Sequence, residues 1–187
     1  MRLEPTAEPR ISPFSASDVE AFLRARGWLT TQNTPEIEEF LRNAAEFLGP
    51  QAAAHSENQN EQCERFCELL ELVFSYDAAK FLELRENQAA MAREGARETV
   101  RELANRVLQG GDIGSVRLRE IIDELKQTFG SQGRRIFHPL RLALAGRTGE
   151  GELDRVILLL DRAAKLPFAV PVKGTRERML EFCAAMQ

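Results

Sequence analysis

The chain has 187 residues, of which 43% are hydrophobic and 29% are charged, a balance typical of a folded globular protein. No stretch approaches the roughly 18 uninterrupted apolar residues of a membrane span, and the first residues lack the apolar segment and cleavage site of a secretory signal. Three cysteines, an odd number, argue against a disulfide framework and favour a reducing, cytoplasmic setting.

The net charge of −4 is distributed unevenly along the chain. Residues 1–100 contain 10 Lys and Arg against 18 Asp and Glu, whereas residues 101–187 contain 15 against 11. Residues 114–147 are the most basic stretch, with Arg117, Arg119, Lys126, Arg134, Arg135, Arg141 and Arg147. This stretch favours contact with phosphates while the acidic half repels them, which predicts a modest, salt-sensitive affinity for nucleic acid.

Hydrophobic residues at helical spacing predict helices in the first half of the chain. Ser17 is predicted to cap a short helix that ends at Gly27. Thr34 followed by a proline predicts a second helix, ended by Gly49 and Pro50, and residues 51–60 predict a connection. A third helix follows, then a break at residues 76–77, a short helix, and one long helix over roughly 88–108.

The second half continues the helical pattern. Ser115 is predicted to cap a helix whose apolar face carries Leu118, Ile121, Ile122, Leu125 and Phe129. After a glycine-containing loop, Pro139 is predicted to start a short apolar helix that Gly146 closes. Residues 151–164 predict another helix, and Thr175 is predicted to cap the last one.

These elements predict an all-α protein, since no alternation of period two persists long enough to indicate a sheet. Two small helical subdomains are expected to meet near residues 90–112. The predicted division is an N-terminal helical subdomain at 1–90, a second at 91–165, and a C-terminal tail with a helix at 166–187.

The residues that bear chemistry give no support for a metal site or a catalytic centre. Cys63 and Cys67, with His55 nearby, have a spacing that suits two ligands on one helix face, but a structural zinc usually needs four. Both cysteines are predicted to pack as small hydrophobic residues on an apolar face. No phosphate-cradling glycine motif and no nucleophile motif occurs, so the sequence predicts neither a cofactor nor an enzyme.

Residues 133–146 form a basic loop that leads into a short, apolar helix. Arg134 and Arg135 are predicted to contact a phosphate backbone, and Phe137 is predicted to lie in the core. Arg141 interrupts an apolar run, and three interpretations are open: it reaches solvent, bonds carbonyl groups as a clamp between helices, or contacts RNA.

The sequence FHPLRLALAG at 137–146, followed by GEGELDRVILLLD at 149–161, resembles the anticodon-binding region of class I glutamyl-tRNA synthetases. The resemblance is carried by Phe137, Pro139, Leu140, Arg141, Ala143, Leu144 and Gly146, and it covers residues 115–161 most clearly. It implies a helical anticodon-binding domain of the class I aminoacyl-tRNA synthetase type, with tRNA, and glutamate tRNA in particular, as the expected partner.

The chain also departs from that family. The HIGH-type and KMSKS-type signatures of the catalytic domain are absent, so the resemblance implies a domain that stands without it. His138 lies where the family often has an apolar residue, Asp161 lies where it usually has glycine, and residues 166–187 do not continue the pattern.

Two functions follow as hypotheses. The first is a tRNA-binding module that acts with a separate synthetase, in which Arg117, Arg119, Lys126, Arg134, Arg135 and Arg147 contact phosphates and Trp28 or Tyr76 stacks on a base. The second is a protein-interaction scaffold that kept the helical fold but lost RNA binding, which the acidic first half favours.

Overall fold

The computed structural model describes residues 13–54, 58–130 and 133–187, and these residues form helices and no strand. The prediction of an all-α fold is confirmed. The helices are α1 (Ala16–Ala25), α2 (Pro35–Ala53), α3 (Gln59–Phe74), α4 (Ala78–Leu82), α5 (Arg85–Met91), α6 (Ala96–Gln109), α7 (Ser115–Phe129), α8 (Arg134–Ala145), α9 (Glu152–Ala163) and α10 (Thr175–Ala185).

The buried hydrophobic residues form one cluster that extends from Val19 in α1 to Phe182 in α10. At one end, α2 packs against α1, α3 and α9; at the other, α6 packs against α7, α8 and α10. The apolar periodicity explains both contacts, because Ile37 and Phe40 of α2 and Val100 and Leu103 of α6 are completely buried. The division into segments 1–90, 91–165 and 166–187 stays a prediction.

Two helices contain a proline where the sequence predicted a helix boundary. Helix α2 continues through Pro50 to Ala53, and α8 begins at Arg134, five residues before Pro139. Each proline removes one backbone donor and leaves the carbonyl four residues earlier without its helical partner. Those carbonyls belong to Glu46 and Arg135, which are both exposed, so water can hydrogen-bond them and the helices continue.

The predicted long helix over 88–108 is divided into α5 and α6. Gly95 caps α6 with φ +81°, a left-handed conformation that side-chain-bearing residues rarely adopt. The end of α6 at Gln109, just before Gly110, agrees with the sequence prediction. At this break the α5–α6 connection lies beside the first half of α8, where the Arg135 guanidinium approaches Gly95.

Three predicted helix caps lie one or two residues away from the observed ones. Ser15, rather than Ser17, caps α1, because the Asp18 carboxylate reaches back to the Ser15 backbone N–H at 2.8 Å and completes a capping box. Gly114 and Gly174 precede α7 and α10, so Ser115 and Thr175 are the first helical residues instead of the caps.

The two cysteines of α3 are less buried than predicted. Cys63 is exposed and Cys67 is half-buried, whereas Phe66, Leu70 and Val73 on the same helix are buried. The buried side of α3 therefore includes fewer residues than the sequence pattern predicted. The prediction that Cys63 packs in the core is wrong.

The C-terminal helix α10 is fastened to the rest of the fold by polar side chains. The Asp161 carboxylate accepts hydrogen bonds from the backbone N–H groups of Ile113 and Thr175, both at 2.7 Å. A Cβ at Gly174 would lie 2.9 Å from Asp161 Oδ1, so the absence of a side chain permits this approach. Asp161 thus joins α9 to the start of α10 and to the α6–α7 connection.

Candidate nucleic-acid interface

The first half of α8 carries a concentration of positive charge. Gly133 caps this helix, and Arg134 and Arg135 are its first two residues and are exposed. Ile136 and Leu140 on the opposite face are completely buried. Burial of that apolar face fixes the helix on the core and leaves the two arginines at the surface.

The α5–α6 connection contributes a third arginine to this surface. Arg93 Nη1 lies 3.2 Å from Nδ1 of His138, which is one helical turn after Arg134. The guanidinium of Arg135 lies against Gly95, where an added Cβ would be only 2.6 Å from Nη2. Neither Arg93 nor His138 was predicted as a binding residue, and the local signal for the position of Arg93 is Gly95, which divides the helix predicted over 88–108.

Phe137 joins α7 to the same surface. Its ring is half-buried, with the Arg141 guanidinium carbon 4.8 Å and Lys126 Nζ 6.0 Å from the ring centroid. Both cations are therefore held against an aromatic ring by cation–π attraction. Lys126 also forms an ion pair with Asp123 at 3.1 Å. The prediction that Phe137 lies in the core is not confirmed, since the ring is half-buried and faces the side chains of Arg141 and Lys126.

We call the set Arg93, Lys126, Arg134, Arg135 and His138 the basic surface. Its members come from the α5–α6 connection, α7 and α8, which tertiary packing brings together. Of the six predicted phosphate contacts, Lys126, Arg134 and Arg135 belong to it.

The other three predicted contacts are not members of this set. Arg117 bonds Glu120 on its own helix and the Arg106 carbonyl, at 3.3 and 3.4 Å. Arg147 lies 3.8 Å from a carboxylate oxygen of Glu68 on the acidic α3. Arg119 is exposed on α7. Their role in binding RNA stays a prediction.

Of the three interpretations of Arg141, the structure supports the clamp between helices. It is only 9% exposed. Its guanidinium donates to both carboxylate oxygens of Asp154 on α9, at 2.8 and 2.9 Å, and to the Gly149 carbonyl at 2.7 Å. This bidentate pair neutralises the charge and fixes α8 against α9. The conspicuous arginine of the sequence motif is thus structural.

The two aromatic residues expected to stack on RNA bases both make contacts within the folded chain. The Tyr76 hydroxyl donates to the Ala143 carbonyl and lies 3.2 Å from the Arg178 carbonyl oxygen, and burial raises the pKa of this phenol. Trp28 is half-buried and stacks on Phe74 with ring centroids 4.6 Å apart. Both rings are only partly exposed and already pack against other side chains, and their stacking on a nucleobase stays a prediction.

The electrostatic environment of His138 reflects the surrounding arginines. Partial burial lowers the pKa of this imidazole, and the positive charges of Arg93, Arg134 and Arg141 lower it further. The ring is therefore neutral at neutral pH, which leaves the basic surface with the charges of its arginines and Lys126.

No group of three or more metal-ligating side chains occurs within 13–54, 58–130 and 133–187, and no helix there has the length and apolarity needed to cross a membrane. His55, considered with the cysteines as a metal ligand, lies outside the described residues.

Comparison with known proteins agrees with the helical architecture. The family model described as "anticodon binding domain" matches residues 16–166, which include α1 to α9, the motif of residues 137–146 and the whole basic surface. No curated protein and no solved structure gives a significant match. The family model covers most of the 187 residues, so the chain belongs to the anticodon binding domain family.

Proposed function

We propose that the chain binds tRNA through the basic surface and catalyses no reaction of its own. The observation that carries this proposal is the position of Arg134 and Arg135. Both are exposed in the first turn of α8, inside the segment that matches the anticodon-binding family, with Arg93 beside them.

The charge distribution supports a local, salt-sensitive interaction. The chain as a whole has a net charge of −4, so long-range attraction to RNA is weak. Arg93, Arg134 and Arg135 form no ion pair within the described residues, whereas Arg106, Arg141 and Arg162 do. Their guanidinium groups are therefore available to phosphate oxygens, to which arginine can donate in a bidentate manner.

The resemblance of residues 115–161 to glutamyl-tRNA synthetases supports glutamate tRNA as the preferred species. The same resemblance supports a partnership with a separate synthetase, since the chain shows neither of the nucleotide-binding signatures of that enzyme family. In this proposal the chain contributes phosphate contacts and orientation, and the partner performs aminoacylation.

The test is the affinity of purified chain for unfractionated tRNA, measured by fluorescence anisotropy over a range of salt. Arg134→Glu with Arg135→Glu is expected to weaken binding and to reduce the slope of log affinity against log salt. Each lost phosphate contact contributes about 0.7–0.9 to that slope, so the double variant loses about 1.5.

The matched control is Arg42→Glu with Lys80→Glu. It changes the net charge by the same amount, but at exposed residues of α2 and α4, which contribute no residue to the basic surface. This control is expected to retain the wild-type salt slope. Equal losses in both variants would show that only net charge matters, and an unchanged affinity in the Arg134 and Arg135 variant would refute the assignment.

A protein partner in place of tRNA is the alternative that the acidic half favours, because 18 acidic residues against 10 basic ones lie within residues 1–100. The same titration separates the two functions. A stable complex with a protein, together with no tRNA binding by the wild-type chain, would decide for the scaffold.

A further inference from the structure

An open cleft lies beside the basic surface, between α8 and the connection to α9. It has a volume of about 410 Å³, and its polar lining comes from Arg134, His138, Thr148 and Glu150. Arg141 also lines the cleft, but Asp154 already binds its guanidinium. Arg134, His138 and the Thr148 hydroxyl are therefore the side chains in the cleft that can donate to an anion, and Arg134 is the one that adds a full positive charge.

The contact between Arg93 and His138 determines the state of the imidazole. A guanidinium group has donors but no acceptor, so at 3.2 Å from Arg93 Nη1 the Nδ1 atom of His138 must accept. The ring is then neutral and its proton lies on Nε2. Arg93 thus acts as a positioning residue, because it sets the tautomer that makes Nε2 a hydrogen-bond donor.

We propose that His138 is a phosphate ligand of the basic surface. Its Nε2–H donates to a phosphodiester oxygen of the bound RNA next to Arg134. The bound phosphate also promotes protonation at Nδ1, where a proton from solvent replaces the hydrogen bond donated by Arg93, so that binding takes up a proton. This inference rests on the proposed function, because it assumes that RNA occupies the basic surface.

The charges around His138 give the direction of the effect. The cations that act on it are Arg93, from the α5–α6 connection, and Arg134 and Arg141 of its own helix. Other charged groups near it are Lys126 of α7, Asp154 of α9, which is paired with Arg141, and Glu150 in the cleft. The Arg135 guanidinium lies against Gly95, the cap of α6. Arg178 of α10 donates to the Leu144 carbonyl, at the opposite end of α8.

A phosphate in the cleft adds a negative charge to this mainly cationic environment. An opposite charge within hydrogen-bond distance favours the imidazolium form, so the pKa of His138 rises on binding. Because the bound state holds the proton more tightly, affinity increases as the pH falls through the pKa of the bound form, and this gain is lost at higher pH.

The experiment follows both histidine rings by NMR, with His138→Gln to assign them, since the chain contains only two. Titrations over pH are recorded with a short oligouridylate, with tRNA, and with sodium chloride at equal ionic strength. We expect either nucleic acid to raise the pKa of His138 by about 1 unit relative to sodium chloride, with His55 unchanged.

The tRNA affinity provides a second readout. Between about pH 8 and about pH 6 the wild-type chain is expected to gain up to about tenfold, since a shift of one pKa unit corresponds to a factor of ten. His138→Gln is expected to bind more weakly and to lose this pH dependence, whereas the control His55→Gln keeps it.

The outcomes separate the inference from the proposed function. No rise in the pKa of His138 with either nucleic acid overturns the inference, and the proposed function then depends on the Arg134 and Arg135 variant alone. A rise with oligouridylate, in a chain that does not bind tRNA, supports the phosphate site and refutes the tRNA-binding function.

Discussion

The buried Arg178 of α10 is the residue whose replacement most directly tests the account of the fold. Its side chain is completely buried and donates to the carbonyls of Lys173, Leu144 and Leu72, each at 2.9 Å, and to that of Val73 at 2.7 Å. Burial lowers the pKa of Arg178 to about 10, so the side chain stays charged at neutral pH.

The carbonyls that bind Arg178 explain how a buried cation is stabilised. Leu72 and Val73 lie in the last turn of α3, and Leu144 lies in the last turn of α8, where carbonyls lack helical donors. The negative ends of two helices therefore face one guanidinium. The Tyr76 ring, 4.6 Å from the guanidinium carbon, adds a cation–π contact.

Arg178→Met keeps an unbranched side chain but leaves three helix-end carbonyls buried without a donor. At about 1–3 kcal/mol for each unsatisfied group, and with the desolvation cost of the cation removed, we expect a loss of about 3–5 kcal/mol. That is a large share of the roughly 5–15 kcal/mol that stabilises a typical domain.

Urea unfolding measures this loss, with the single tryptophan, Trp28, as the fluorescent probe. With a slope of about 2–3 kcal/mol per molar urea, the midpoint of the variant should fall by about 1–2 M. The control Arg176→Met removes an exposed arginine of the same helix and should cost about 1 kcal/mol or less. A loss in Arg178→Met no larger than in the control would refute the helix-end explanation.

Two further substitutions test other parts of the account. Gly95→Ala places a side chain at φ +81° and 2.6 Å from Arg135 Nη2, so urea unfolding should show that the free energy of unfolding falls by about 1–2 kcal/mol. The control Gly111→Ala has open space around its Cβ and should leave the free energy of unfolding nearly unchanged. Equal losses in the two variants would contradict this expectation. Tyr76→Phe should cost about 1–2 kcal/mol in the same assay because the Ala143 carbonyl loses its donor, and an unchanged stability would contradict this role of the hydroxyl.

The helices that the sequence predicted well are those whose periodicity is a local property. In α7, Leu118, Ile121 and Leu125 are buried as their spacing required. Proline was a poorer guide, because its effect depends on whether the carbonyl it leaves unpaired is exposed. Around Pro50 and Pro139 that carbonyl lies at an exposed residue, which the sequence alone does not reveal.

The candidate site was predictable only in part for a related reason. Charge alone identified Arg134 and Arg135, which are near each other in the chain. Arg93 joins them through contacts between residues 45 positions apart, and Arg178 bonds residues more than 100 positions away. Such contacts are a consequence of tertiary packing, so no local sequence pattern predicts them.

The most direct test of the central claim is the binding of wild-type chain to isolated glutamate tRNA and to unfractionated tRNA, at low and at physiological salt. The proposed function predicts binding that weakens with salt and favours the glutamate species. Absence of binding to either sample, even at low salt, would contradict it and show that this anticodon-binding fold serves a partner other than tRNA.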